Sequence, residues 1–133
     1  MKFKAVLLLL VFFAFACKKE KGAGIPTSGV LTTGTWVVSK LSIDGTNITD
    51  SLSSYTFVFD TNHGITAASA LGTTIGEWYI ETDDDSEFRI VLGDKAPLNN
   101  LSKIWHVRSE SESKVELYDD EDGRSDELTF NKQ

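Results

Sequence analysis

Few side chains in this 133-residue chain can do covalent or metal chemistry: it holds one cysteine, Cys17, and two histidines, His63 and His106. A thiol acts as a nucleophile through its thiolate, and a single cysteine forms no disulfide within the chain. Either histidine could serve as a base, but no serine sits in a G-x-S-x-G elbow, so the chain is read as a non-enzyme. His63 lies in the turn Asn62-His63-Gly64, where a solvated ring is expected, and His106 shares a strand face with Arg108, pointing outward. Two acid runs, Asp83-Asp84-Asp85 and Asp119-Asp120-Glu121-Asp122-Gly123, offer the oxygens a hard cation wants. The EF-hand register fails, however. With Gly123 at the glycine position, Tyr118 falls at the first ligand place and Thr129 at the last. Both runs are read as solvated hairpin loops, where aspartate and glycine suit turn geometry. Cysteine and histidine are too few for a structural zinc site, and there is no phosphate-cradling glycine loop. No metal and no cofactor are expected.

Cys17 stands at a distinctive place. Met1-Lys2-Phe3-Lys4 is a short basic start, Ala5 to Ala16 is unbroken apolar sequence, and Lys18-Lys19-Glu20-Lys21 follows the cysteine. The apolar run is about twelve residues long, and a spanning helix needs roughly 20. Its length and flanks are those of an export signal. Ala14-Phe15-Ala16-Cys17 resembles the lipobox of bacterial lipoproteins, departing from it at Ala14, where leucine is commonest. In that family the thiol is lipidated and the leader is cut before it. The resemblance therefore implies that residues 1–16 are a signal peptide and that Cys17 is the first mature residue. It also implies a lipid-anchored protein of the bacterial cell envelope, at the outer membrane, with the membrane as a partner through the lipid on Cys17. Each buried acyl CH2 contributes about 0.8 kcal/mol, so the three chains of that family hold firmly. Residues 17–32 are read as the lipidated cysteine and a flexible linker, because Gly22, Gly24, Pro26, Ser28 and Gly29 break any periodicity.

Beyond the linker the chain is acidic. Removing the leader takes Lys2 and Lys4 but no acid, leaving eleven bases against twenty acids, a formal charge of −9. Such a body repels phosphate backbones, which excludes nucleic acid as an expected partner. Residues 33–133 are the length of one domain, and no disulfide supports the core.

That domain reads as eight short strands: Trp36 to Ile43, Tyr55 to Phe59, Ile65 to Leu71, Thr73 to Thr82, Phe88 to Leu92, Lys103 to Ser109, Lys114 to Tyr118 and Glu127 to Asn131. Tyr55, Phe57 and Phe59 alternate with Thr56, Val58 and Asp60, the period of a half-buried strand. Turn residues separate the runs, as at Asp44-Gly45 and Gly93-Asp94. The one stretch with helical character is Ala96 to Leu101, a single turn at most. Short loops between consecutive strands argue for an all-β antiparallel meander, closed or nearly closed into a barrel that removes its edges.

Gly34-Thr35-Trp36 resembles the G-x-W signature that opens lipocalin-type barrels, and Gly76-Glu77-Trp78 repeats it. Tyr55-x-Phe57-x-Phe59 with Asn62-His63-Gly64, and the ending Lys114-Val115-Glu116-Leu117 and Leu128-Thr129-Phe130, are similar to small lipocalin-like lipoprotein domains. The resemblance implies an eight-stranded barrel, which has room for side chains or for one small ligand. On the first alternative a small apolar molecule is bound, with Trp36, Tyr55, Phe57, Trp78 and Phe88 as its wall, because aromatics dominate apolar pockets. On the second the barrel is solid, and its surface meets an envelope protein.

Overall fold

The computed structural model describes residues 28–81 and 87–133. Cys17, the leader, the linker up to residue 27 and the run Asp83-Asp84-Asp85 lie outside the described residues.

Among the described residues nine strands follow in chain order. They are β1 (Trp36–Ile43), β2 (Thr46–Asn47), β3 (Thr56–Phe59), β4 (Gly64–Ser69), β5 (Gly72–Ile80), β6 (Glu87–Val91), β7 (Ile104–Glu110), β8 (Lys114–Asp119) and β9 (Asp126–Lys132). All pairings are antiparallel, and β9 returns to β1 from Trp36 opposite Lys132 to Ser42 opposite Glu127. The result is a closed eight-stranded barrel with β2 as an extra strand folded back on β1 after Asp44-Gly45. Asp44 and Gly45 have φ of 49° and 80°, the left-handed pair that a twisted two-residue hairpin requires. The eight expected strands are all present, shifted by a residue or two at their ends.

Closure is uneven. β1 pairs with β9 at six positions but with β3 at one, Trp36 opposite Phe57. Above that pair the segment after β2 replaces a strand. Ile48 donates its N–H to the Leu41 carbonyl at 2.8 Å, and the Leu41 N–H reaches the Thr49 hydroxyl, also at 2.8 Å. Leu52, in a 3-10 turn over Thr49–Leu52, drops into the core. The buried backbone of β1 is thus satisfied without a ladder.

Helical turns are more numerous than expected. Besides Leu98–Leu101, 3-10 turns occupy Thr49–Leu52 and Glu121–Gly123, and α1 (Ser28–Leu31) forms one α-helical turn. α1 corrects the reading of residues 17–32 as linker throughout. Leu31 is 0% exposed, and its carbonyl accepts the Trp36 indole N–H at 2.9 Å. An isolated leucine in glycine-rich sequence has no periodicity to mark it; only the barrel floor it covers shows that it belongs to the core.

The floor holds α1, the β3–β4 turn, the β7–β8 turn and the last residues of β9. The rim holds the β1–β2 turn, the β4–β5 hairpin tip, the long connection from Leu92 to Lys103 and the β8–β9 turn. Between them the interior is filled by rings. Phe59 packs edge-on against Phe130 at 5.5 Å and against Trp78 at 6.2 Å, and Phe57 meets Phe130 at 5.4 Å. Edge-to-face pairs of this kind add about 0.5–1.5 kcal/mol each to simple burial.

Candidate functional site

The five residues expected to wall a ligand separate into two groups. Trp36, Phe57, Trp78 and Phe88 are fully buried members of the packed core. Trp78 and Phe88 touch each other at 5.8 Å, and Phe57 touches Phe130. Trp36 lies at the floor, its indole tied to Leu31. A guest on that wall would have to displace ring–ring contacts. Tyr55 differs: it is half-buried, packs 6.4 Å from Phe57, and faces an open cleft at the rim.

That cleft measures about 540 Å³ and is lined by Tyr55, by Thr73, Thr74 and Ile75 of β5, and by Leu92 to Ala96 with Leu98. Its cause lies in the β5–β6 ladder, which runs from Glu77 opposite Val91 to Ile80 opposite Phe88 and stops. At Gly76 the two strands come so close that the Val91 carbonyl oxygen occupies the place a Cβ would take. Beyond it Gly93, at φ 85°, turns the chain away from β5. Ser102 holds the departing segment, accepting the Leu92 N–H at 2.9 Å and donating to the Gly93 carbonyl at 3.0 Å. Leu98 and Leu101 anchor it in the core. The upper half of β5, paired only with β4, is left facing the connection across a hollow.

The chemistry of the hollow is mixed. Ile75, 78% exposed, offers apolar surface, while Leu92 lines the hollow but is only 2% exposed; Thr73, Thr74 and Tyr55 offer hydroxyls; Asp94 and Lys95 bring one charge of each sign. Volumes of 300–1,000 Å³ are those of small-molecule sites. Of its lining, the sequence reading named only Tyr55. The threonines and the Asp94-Lys95 pair carry no motif, because the hollow exists where a ladder ends.

The other chemically capable residues are placed as follows. His63 is exposed, as expected, but its ring stacks on Tyr79 at 5.9 Å and approaches Trp78 at 5.2 Å. The Tyr79 hydroxyl donates to the Glu77 carboxylate, and that bond pushes the phenol pKa up. His106 lies on the outer wall of β7, half-buried, against the Tyr118 ring at 5.4 Å.

The second acid run is a correction in part. Asp120, Glu121 and Asp122 are exposed, but Asp119 is buried. It stands opposite Asp126, which is 2% exposed, and the Lys103 ammonium lies between the two carboxylates. Burial pushes the Asp126 carboxyl up, but the Lys103 ammonium and the Asp44 N–H, 2.8 Å away, outweigh it and hold the pKa below the ordinary carboxylate value. Lys103 also sits 4.8 Å over the Trp105 ring. This triad ties the start of β7, β8, β9 and the β1–β2 turn together; each carboxylate faces the Lys103 ammonium with one oxygen and accepts a backbone N–H with the other, from Glu121 and Asp44, so it is structural.

No family model matches the chain, and no curated protein matches it. Solved structures do. A DUF4847-family protein from Bacteroides vulgatus superposes with a TM-score of 0.57 at 17% identity, covering 80% of this chain and 98% of the other. A lipocalin-like protein from Bacteroides uniformis gives 0.54 at 18% identity, covering 77% and 98%. An uncharacterized protein from Bacteroides eggerthii gives 0.54 at 16% identity, covering 77% and 99%. At these identities the likeness is one of fold, and the fold is lipocalin-like.

Proposed function

We propose that this chain is an envelope lipoprotein, tethered to the outer membrane through Cys17, whose lipocalin-like barrel binds a small amphipathic molecule in the rim cleft. One observation carries the binding part: the barrel interior is occupied by its own rings, while a hollow of about 540 Å³ stands open at the rim. The cleft residues suit a molecule with an apolar part resting on Ile75 and a polar end among Tyr55, Thr73 and the Asp94-Lys95 pair. The expected wall thereby contracts from five aromatics to one, Tyr55. The tether rests on the lipobox resemblance of Ala14-Phe15-Ala16-Cys17.

The binding test is amide chemical-shift mapping with a series of fatty acids and aryl acids. Shifts at Thr73–Ile75 and Asp94–Ala96, abolished by filling the hollow with Thr74→Trp, are expected; shifts elsewhere with none at these amides would refute it. The tether test is separate. Cys17→Ser should move the protein from the membrane to the soluble fraction or block its processing, and an unchanged distribution with the leader still removed would refute it.

A second reading, a solid barrel that docks on an envelope protein, has its own observation. Leu71, at the tip of the β4–β5 hairpin, is 99% exposed, and Ile75, four residues further along in β5, is 78% exposed. Large apolar side chains left in water at one end of a barrel offer surface that association would bury. Loss of a captured envelope partner on Leu71→Asp with Ile75→Asp, with the cleft amides silent to every small molecule, would favour it.

A further inference from the structure

On the outer wall, sharing no residue with the rim cleft, three side chains from three elements converge: Glu87 of β6, His106 of β7 and Glu121 of the turn after β8. We propose that they bind a divalent transition cation of the zinc class. One imidazole nitrogen and two carboxylate oxygens, each from a different residue, lie within 4.8 Å of one another. Zinc bonds imidazole nitrogen and carboxylate oxygen at about 2.0–2.2 Å, so in a tetrahedral shell its ligand atoms stand about 3.4 Å apart. Small side-chain rotations close that gap.

The positions are built by the fold. Glu87 is directly opposite His106 in the β6–β7 ladder, and Tyr118 is opposite His106 on the other side. The Tyr118 ring backs the imidazole, whose Nε2 already lies 3.3 Å from Glu121 Oε1. Glu121 is fixed by its own backbone: its N–H reaches Asp119 Oδ1 at 3.1 Å, and its carbonyl accepts from Arg124 at 3.0 Å. Asp119 is held in turn by Lys103. Outer contacts of this kind orient metal ligands.

Charge argues the same way. Arg89 is engaged with Glu81, Arg108 with Glu127, and Lys103 with Asp119 and Asp126. Among the described residues, neither Glu87 nor Glu121 forms an ion pair with lysine or arginine. Two carboxylates facing one imidazole present a net negative, partly desolvated donor set, and a dication bound there neutralises both. The single imidazole selects zinc-class ions over calcium and magnesium, which favour all-oxygen shells. Three protein donors on an exposed wall leave further coordination positions to water, as in open sites.

The test uses zinc chloride titrated into the chelator-stripped full-length protein. One equivalent should bind, and the Tm should rise by about 10 °C at hundredfold excess over Kd; calcium chloride should leave the Tm unchanged. His106→Ala and Glu121→Gln should each weaken binding by roughly tenfold or more, whereas His63→Ala should bind as the parent does. Glu121 is exposed in a turn, so its variant keeps the test decisive should His106→Ala fail to fold. No Tm change with millimolar zinc, a zinc response that survives both variants, or a response to calcium alone would overturn the proposal.

Discussion

Gly34 and Gly76 open the two G-x-W copies for different physical reasons. Gly34 takes φ 83°, a left-handed conformation that costs an L-residue about 1–2 kcal/mol. Gly76 has an ordinary φ but no room, since a methyl there would meet the Val91 carbonyl. Gly76→Ala must push β6 off β5, and a loss of about 3 kcal/mol is expected in urea unfolding; a change under 0.5 kcal/mol would show that the strands yield freely. Lys103 is the other residue on which much depends. Lys103→Met leaves Asp119 and Asp126 facing each other without a cation, and removing one partner of a buried pair costs about 3–5 kcal/mol. Adding Asp126→Asn to that variant should recover part of the loss, a coupling that a double-mutant cycle measures. Neither role could be read from residue type alone. The run from Asp119 to Gly123 looks uniformly solvated in sequence, and only the Asp119–Asp126 register separates the buried member from its exposed neighbours.

Strands were legible because two simple signals agreed along most of the barrel. Side chains alternate with period two, as at Phe57 and Phe59 or Trp105 and Val107, and turn residues divide the runs. Where an element has no period of its own, the reading failed. α1 and the turn Thr49–Leu52 are placed by single leucines that plug gaps, and their local sequence resembles linker and loop. The weak β1–β3 seam follows from this. It is closed at one strand pair, and the Thr49 hydroxyl completes it. Thr49→Val keeps the shape but leaves the Leu41 N–H without its acceptor, and a destabilisation of about 1–3 kcal/mol is expected. Faster amide exchange confined to the upper half of β1 would place that loss at the seam; uniform exchange would contradict it. The rim cleft and the Glu87–His106–Glu121 cluster were illegible for a related reason. Both arise from register, the one where β6 leaves β5 and the other where two strands and a turn bring distant residues side by side.

At the scale of the whole molecule, acid sensitivity can be derived from a few carboxylates. Glu127 accepts from Arg108 at 2.8 Å and pairs with Lys40, which lowers its pKa from 4.5 to about 2. Glu116, bonded to Lys114 and Ser109, is lowered too, as is Asp126. In each case the folded value lies below the unfolded one. The stabilisation from Glu127 is therefore full above about pH 4.5 and is lost as pH falls toward 2, and that from Glu116 and Asp126 is likewise lost as pH falls below the ordinary carboxylate range. The Tm should be level near neutrality and drop through that window. Glu127→Gln should shallow the drop, and an unchanged acid limb in that variant would remove Glu127 from the account. Glu127 and Glu116 are partly solvated, so high salt should weaken their share, leaving that of Asp126.

All three tryptophans are sealed inside the barrel wall, and each indole N–H is bound to a backbone carbonyl, of Leu31, Asp60 and Leu101 respectively. None of them lines the rim cleft. Native emission should accordingly be blue-shifted and almost indifferent to iodide. A ligand seated at Tyr55 would leave that emission nearly constant. Intrinsic fluorescence would register an occupied protein as an empty one.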